Sequence, residues 1–374
     1  MVKRFFKRFI LILALIGSII LVLGSACGIV LLYGPFESLR DLWITTAMET
    51  FHHRYLARWF FTPDYIELVV DRNKPQEPEE EIDLDLIHIG SDTEPASEPE
   101  TEALPATETE TETEVISETE TATETEVITE TEPETEPEPL IVIDDLKGKN
   151  ELGATYIGYM MTISDPTLVR VGVSDKLGSY GQKLDSMCES YGAIAGLNGG
   201  GFSDQNGTGN GGYAEGVVMK DGEIIWNSTP GKTHSVIGIT YEGKLVLKKM
   251  TDSELKESDI RDCLEFSPFL IVNGVATKVG TTGVHPRSAI GQTADGKFLF
   301  LCIEGRSSRS AGATQKDVID IMLEYGAVNC ANLDGGSSST LIHEGKLVNK
   351  TSSSADMRYL ATAFVVLDPD KIEE

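Results

Sequence analysis

An uncharged run from Phe9 to Tyr33 follows Lys3, Arg4, Lys7 and Arg8, and its apolar stretch Ile10 to Leu32 would rise roughly 34 Å as a helix. That length crosses a bilayer. Basic residues on its N-terminal side alone predict a cytoplasmic N-terminus with the remainder outside, a single-pass type II signal anchor in the cell membrane formed by residues 1–34. A cleaved signal peptide fits less well, because apolar residues continue past Gly24-Ser25-Ala26 as far as Leu32. Leu39, Trp43, Ala47, Phe51, Tyr55 and Trp59 then recur every fourth residue, predicting an amphipathic helix over Glu37 to Phe61 within a membrane-proximal segment, residues 35–73. Its tryptophans suit the headgroup level, although packing on a partner helix would give the same stripe.

Periodicity then disappears. No Lys or Arg lies between Lys74 and Lys147, while 24 of the chain's 60 acidic residues fall from Glu77 to Glu138. Thr-Glu dipeptides interrupted by Pro repel one another and bury nothing, so residues 74–139 read as an acidic, disordered stalk. The stalk carries most of the formal net charge of −29, which therefore says little about the folded part. Nucleic acid is excluded as a partner, since no basic patch or aromatic-basic motif occurs.

Residues 140–374 alternate as a folded domain does. Apolar runs flank Asp221-Gly222, Glu242-Gly243, Asp295-Gly296 and Glu344-Gly345, four hairpin turns. Two helical faces stand out, Leu184, Met187, Cys188 and Tyr191, and Val318, Ile319, Met322 and Leu323. Thr314 with Asp317 three residues on marks the start of the second, and Gly326 its end. The pattern predicts an α+β domain, mainly antiparallel or mixed sheet with hairpins and a few flanking helices, preceded by the transmembrane helix and stalk. Cys188, Cys302 and Cys330 sit at apolar periodic positions and read as unpaired core thiols.

Four β-rich runs end in glycine and polar groups. Ala193 to Leu197 leads into Asn198-Gly199-Gly200-Gly201-Phe202, offering an amide for hydroxyls and a ring for a sugar face. His285-Pro286-Arg287-Ser288 supplies a guanidinium that can fork onto an anion, although a lone arginine is more often a surface ion pair. Phe298 to Ile303 leads into Glu304-Gly305-Arg306, and Ala327 to Ala331 into Asn332-Leu333-Asp334-Gly335-Gly336-Ser337-Ser338-Ser339-Thr340, whose N–H groups could form an oxyanion nest. Arg358 precedes the last strand.

In this order the motifs Asn198 to Phe202, Arg287 to Gly291, Glu304 to Arg306 and Asn332 to Thr340 resemble those of the phosphodiester glycosidase family. That family is named for N-acetylglucosamine-1-phosphodiester alpha-N-acetylglucosaminidase, and its bacterial members are often exopolysaccharide-associated. The resemblance implies a sheet domain hydrolysing the bond between an anomeric carbon and a phosphodiester, with a glycan or sugar-phosphate substrate. Asn198, Arg287, Arg306 and Asp334 fall on the family's strongest positions. Glu304 stands where Asp is commoner and Ser337 where a third Gly is common.

Such chemistry asks for cations at the phosphate and carboxylates near the anomeric centre. Asp334, Glu304, Arg287 and Arg306 are therefore the expected catalytic residues. Asn198, Gly199, Gly200, Phe202, His285, Ser288, Gly335, Gly336, Ser337, Ser338, Ser339, Thr340 and Arg358 are the expected substrate-binding ones. No cofactor is expected; a divalent metal stays open, although no twelve-residue calcium loop occurs. A serine hydrolase fits poorly without a G-x-S-x-G elbow. A non-catalytic surface module binding anionic envelope polysaccharide through the same arginines is the alternative.

Overall fold

The computed structural model describes residues 2–50, 53–90, 138–204, 209–353 and 356–372. The stalk expected over 91–137 lies outside the described residues. Helix Val2–Tyr33 contains Leu11–Tyr33, the one helix among the described residues that is long and apolar enough to cross a membrane.

The single helix expected over Glu37 to Phe61 is instead divided into Glu37–Met48 and Arg54–Arg58, followed by Pro63–Arg72. A four-residue repeat drifts about 40° per step on a helix of 3.6 residues per turn, so six stripe positions cannot share one face of a straight helix. Breaking the helix turns its halves together around Ile44, Ala47, Ala57, Ile66 and Val69, all buried. Arg72 ties the last helix to the first through Glu37 at 2.6 Å and Asp41 at 3.0 Å. Trp43 and Trp59 stay outside this cluster and exposed, and Phe51 lies outside the described residues.

Residues 74–90, expected as the start of the stalk, run along the folded domain. The Gln76 N–H donates to Lys278 O at 2.8 Å, Glu77 accepts the Phe269 N–H at 2.9 Å, and Ile87 is buried. Charge density marks this stretch as disordered in sequence, but its backbone finds sheet-edge and turn partners that composition does not reveal.

Three antiparallel sheets make up the domain. The largest orders its strands Ile141–Lys149, Thr155–Ile163, Phe298–Ile303, Arg287–Thr293, Ala327–Asn332, Phe269–Val272 and Val275–Ala276. Phe298–Ile303 is buried on both faces. Phe298, Phe300 and Cys302 point into the main core against Phe364 and Leu197 of a second, five-stranded sheet; Leu299, Leu301 and Ile303 point to Val318, Ile319 and Met322 of helix Gln315–Glu324. The third sheet, Val217–Lys220 to Ile260–Glu265, adds Ile237, Leu245 and Leu264 to the main core.

All four acidic-Gly turns join hairpins, and Asn273-Gly274 forms a fifth, with φ of 52° and 75°. The five cysteines are free, four of them buried. At the helix start, Thr314 accepts the Asp317 N–H at 3.2 Å while the Asp317 carboxylate accepts the Thr314 N–H at 2.7 Å, a reciprocal cap. Thr314→Ala is expected to lower stability by about 1–2 kcal/mol, read as a shifted urea midpoint at unchanged slope.

Candidate active site

Register brings the motifs together. Arg287, at the start of its strand, pairs with Ile303 at the end of one neighbour, and Ala289 pairs with Asn332 at the end of the other. Three of the glycine-polar runs therefore leave the large sheet at one edge. Asn198 joins the second sheet to that edge. Its amide donates to Asp334 O at 2.6 Å, and its carbonyl oxygen accepts the Ser288 hydroxyl at 2.7 Å and the Thr340 N–H at 3.1 Å.

A cleft of about 900 Å³ opens there, lined by Phe202, His285, Arg287, Arg306, Asp334, Gly335, Gly336, Ser337, Ser338 and Arg358 among the expected residues. Asn198, Gly199, Gly200, Ser288, Ser339 and Thr340 do not line it. Gly199 and Gly200 pack on Thr362, Ser288 is fully buried, and Asn349 binds Ser339 O at 3.1 Å, so these residues hold the walls rather than meet a ligand. The ring of Phe202 is buried, with the Arg358 guanidinium 5.1 Å from its centroid, which covers the face expected to stack on a sugar.

Glu304 lies elsewhere. Its carboxylate receives Arg309 Nη2 at 2.8 Å and the Lys350 N–H at 2.8 Å, it is buried, and it does not line the cleft. The Glu304 N–H continues the sheet ladder to Ile157 O at 2.9 Å. The residue one place beyond Ile303 thus turns its side chain to Arg309, five positions along the chain.

The nest is also less open than its glycines suggest. The N–H groups of Gly336, Ser338 and Thr340 bind Pro286 O, Gly335 O and Asn198 Oδ1. Gly336 has a φ of 65°, which favours glycine, and a Cβ there would press on the Arg306 guanidinium at 3.2 Å. Ser337 adopts no positive φ and accepts from Arg358 at 3.1 Å, so its Cβ costs the loop nothing.

Charge concentrates on a few groups. Burial pushes the Asp334 carboxyl up to about 6; the Ser338 hydroxyl and Arg358 oppose this, while Glu215 and Asp204 add to it. Burial and the neighbouring Arg287 lower the Arg306 guanidinium, and Asp334 opposes them. His285 is held below its ordinary value by burial, against the pull of Glu49. Its Nδ1 lies 3.4 Å from Arg306 Nη2, which leaves the proton of the neutral ring on Nε2. Among the described residues no group of three or more His, Cys, Asp or Glu could hold a metal ion.

Three cleft carboxylates carry no motif in the sequence. Asp204 pairs with Arg358 at 3.0 Å, Glu215 faces the cleft beside Gly201, and Glu49 enters from the helical segment. Glu49 Oε1 accepts the Gly283 N–H at 3.0 Å, and Oε2 lies 3.2 Å from Arg287 Nη2 and 3.3 Å from His285 Nε2. Burial opposes its ionisation, but His285, Arg287 and the Gly283 N–H outweigh burial and hold its carboxyl down at about 2.

The strand ends of this antiparallel α+β domain thus bring Arg287, Arg306 and the raised Asp334 carboxyl to one cleft. Residues 191–367 match the family model described as Phosphodiester glycosidase, so this part of the chain is similar to that family. The catalytic domain of zebrafish N-acetylglucosamine-1-phosphodiester alpha-N-acetylglucosaminidase, solved auto-inhibited by its pro-peptide, shares the fold. Its TM-score is 0.51 at 19% identity, over 62% of this chain and 84% of that one. An uncharacterised SPbeta prophage-derived protein of Bacillus subtilis (strain 168), YomE, is 40% identical over 86 residues, 23% of this chain and 13% of that protein. The match spans a small part of that relative's length.

Proposed function

We propose that the protein hydrolyses the bond between an anomeric carbon and a phosphodiester, acting outside the cell membrane on cell-envelope or exopolysaccharide material while tethered by its N-terminal helix. The observation that carries this reading is the convergence of Asp334, Arg287 and Arg306 on one cleft. Arg306 and Arg287 take the phosphate, for which a fixed, always charged guanidinium is the suited group. Asp334 faces the positive charge that develops at the anomeric carbon. Incubating the full-length protein in detergent with UDP-GlcNAc and other sugar-1-phosphodiesters should release free sugar. Binding to all of them without turnover would favour the polysaccharide-binding alternative.

The helical segment holds this site occupied. Glu49 presents to Arg287, His285 and the Gly283 N–H the same kind of oxygen atoms that a phosphodiester would present. The auto-inhibition named for the zebrafish structure supports reading the contact as a plug. Glu49→Gln keeps the shape and removes the charge, so the Michaelis constant should fall by about tenfold, the size of a modest coupling between two sites. Initial-rate kinetics decide it; an unchanged constant would mean that substrate does not compete with Glu49.

A further inference from the structure

We propose that Glu215 is the second catalytic carboxylate, taking a proton from the attacking water in the cleft it shares with Asp334; this rests on the glycosidase reading above. Glycoside cleavage is ordinarily shared between two carboxylates, and the expected partner, Glu304, is buried on Arg309 and the Lys350 N–H away from the cleft.

The glycine run sets the two groups side by side. The Asp334 N–H donates to Gly199 O at 3.1 Å, and the Glu215 N–H donates to Gly201 O at 2.9 Å. Their anchor points on the run are two residues apart, at most roughly 7 Å along the chain. Both side chains line the same cleft, near enough for the charge of Glu215 to act on the Asp334 carboxyl. Gly201 makes room for the reach: a Cβ there would stand 3.0 Å from Glu215 Oε2 and 3.3 Å from the Phe266 ring.

Glu215 also differs from the other carboxylates in its freedom. Glu49 is held by Arg287, Asp204 by Arg358 and the Gly209 N–H, and Glu304 by Arg309. Among the described residues no donor reaches the Glu215 carboxylate, which is exposed in the wall of the cleft. Burial of its inner side and the charge of Asp204 raise its pKa, which strengthens it as a base.

In the step, water oxygen bonds to the anomeric carbon and one water proton passes to Glu215. The bond from that carbon to the phosphate oxygen breaks, its electron pair leaving with the phosphomonoester, and Glu215 then returns the proton to solvent.

Glu215→Gln in the full-length protein tests this with UDP-GlcNAc. The expected result is a fall in kcat of about 10²–10⁴-fold with a Michaelis constant close to wild type, since a positioned base contributes that much. Added azide, a nucleophile that needs no base, should restore turnover in the variant and yield the sugar azide. Wild-type-like kcat, or a loss that azide does not rescue, would overturn the assignment. Failure of the unaltered protein to release sugar from any phosphodiester would instead overturn the glycosidase reading.

Discussion

Asp334→Asn should abolish sugar release and at the same time stabilise the fold at neutral pH. The first effect follows from losing the charge that faces the developing cation; preorganised electrostatic groups of this kind are worth about 10²–10³-fold in kcat each. The second follows from linkage. The Asp334 carboxyl titrates at about 6 in the fold against an ordinary 3.8. The folded state therefore holds the proton more tightly than the unfolded chain. Protonated Asp334 costs nothing below about pH 4, and the cost grows as pH rises through about 6, to an upper bound of about 3 kcal/mol. Asparagine never ionises, so the variant's advantage should be absent at pH 4 and complete above pH 6. Thermal unfolding at the two pH values, beside the rate assay, checks both halves. A variant that loses stability at pH 7, or that keeps its turnover, would contradict the role given to Asp334.

Asn198→Ala should be the most damaging single change to the fold around the site. The side chain is fully buried and satisfies three groups from three segments: the Asp334 carbonyl, the Ser288 hydroxyl and the Thr340 N–H. Alanine leaves each without its partner in a dry place, at about 1–3 kcal/mol apiece, or about 3–9 kcal/mol together. That approaches the whole stability of an ordinary domain. Urea unfolding should show a large fall in midpoint, with activity lost because the Asp334 loop is no longer tied to the second sheet. A change below about 1 kcal/mol would mean that water replaces the amide, which a polar, roomy pocket would require.

Local chemistry made much of the fold legible. Acidic-Gly pairs mark hairpins because a tight turn between twisted strands needs positive φ, taken by both residues at Asp221-Gly222 and Glu344-Gly345 and by the glycine alone at Glu242-Gly243 and Asp295-Gly296, and Asn273-Gly274 is readable on the same rule. Thr314 and Asp317 cap a helix within one turn of sequence. The shared end of the motifs was also accessible in part, because three of them follow a β-rich run, whereas Arg287 opens its strand. What sequence hides is direction and partner. Glu304 and Arg306 are two residues apart, yet one goes to Arg309 and the other to the cleft. Glu215 gains its place through a bond to Gly201, and Glu49 through a contact with Arg287, 238 positions along the chain. The stripe of Trp43 and Tyr55 read as one helix because spacing alone does not show where the drift of a four-residue repeat breaks it.

Free sugar measured after incubating the full-length protein with a panel of sugar-1-phosphodiesters, with Asp334→Asn beside it, bears most directly on the chemistry of the cleft. Release of sugar and a phosphomonoester by the unaltered protein, and none by the variant, is the expected result. Equal release by both, or none from any member of the panel, would contradict it.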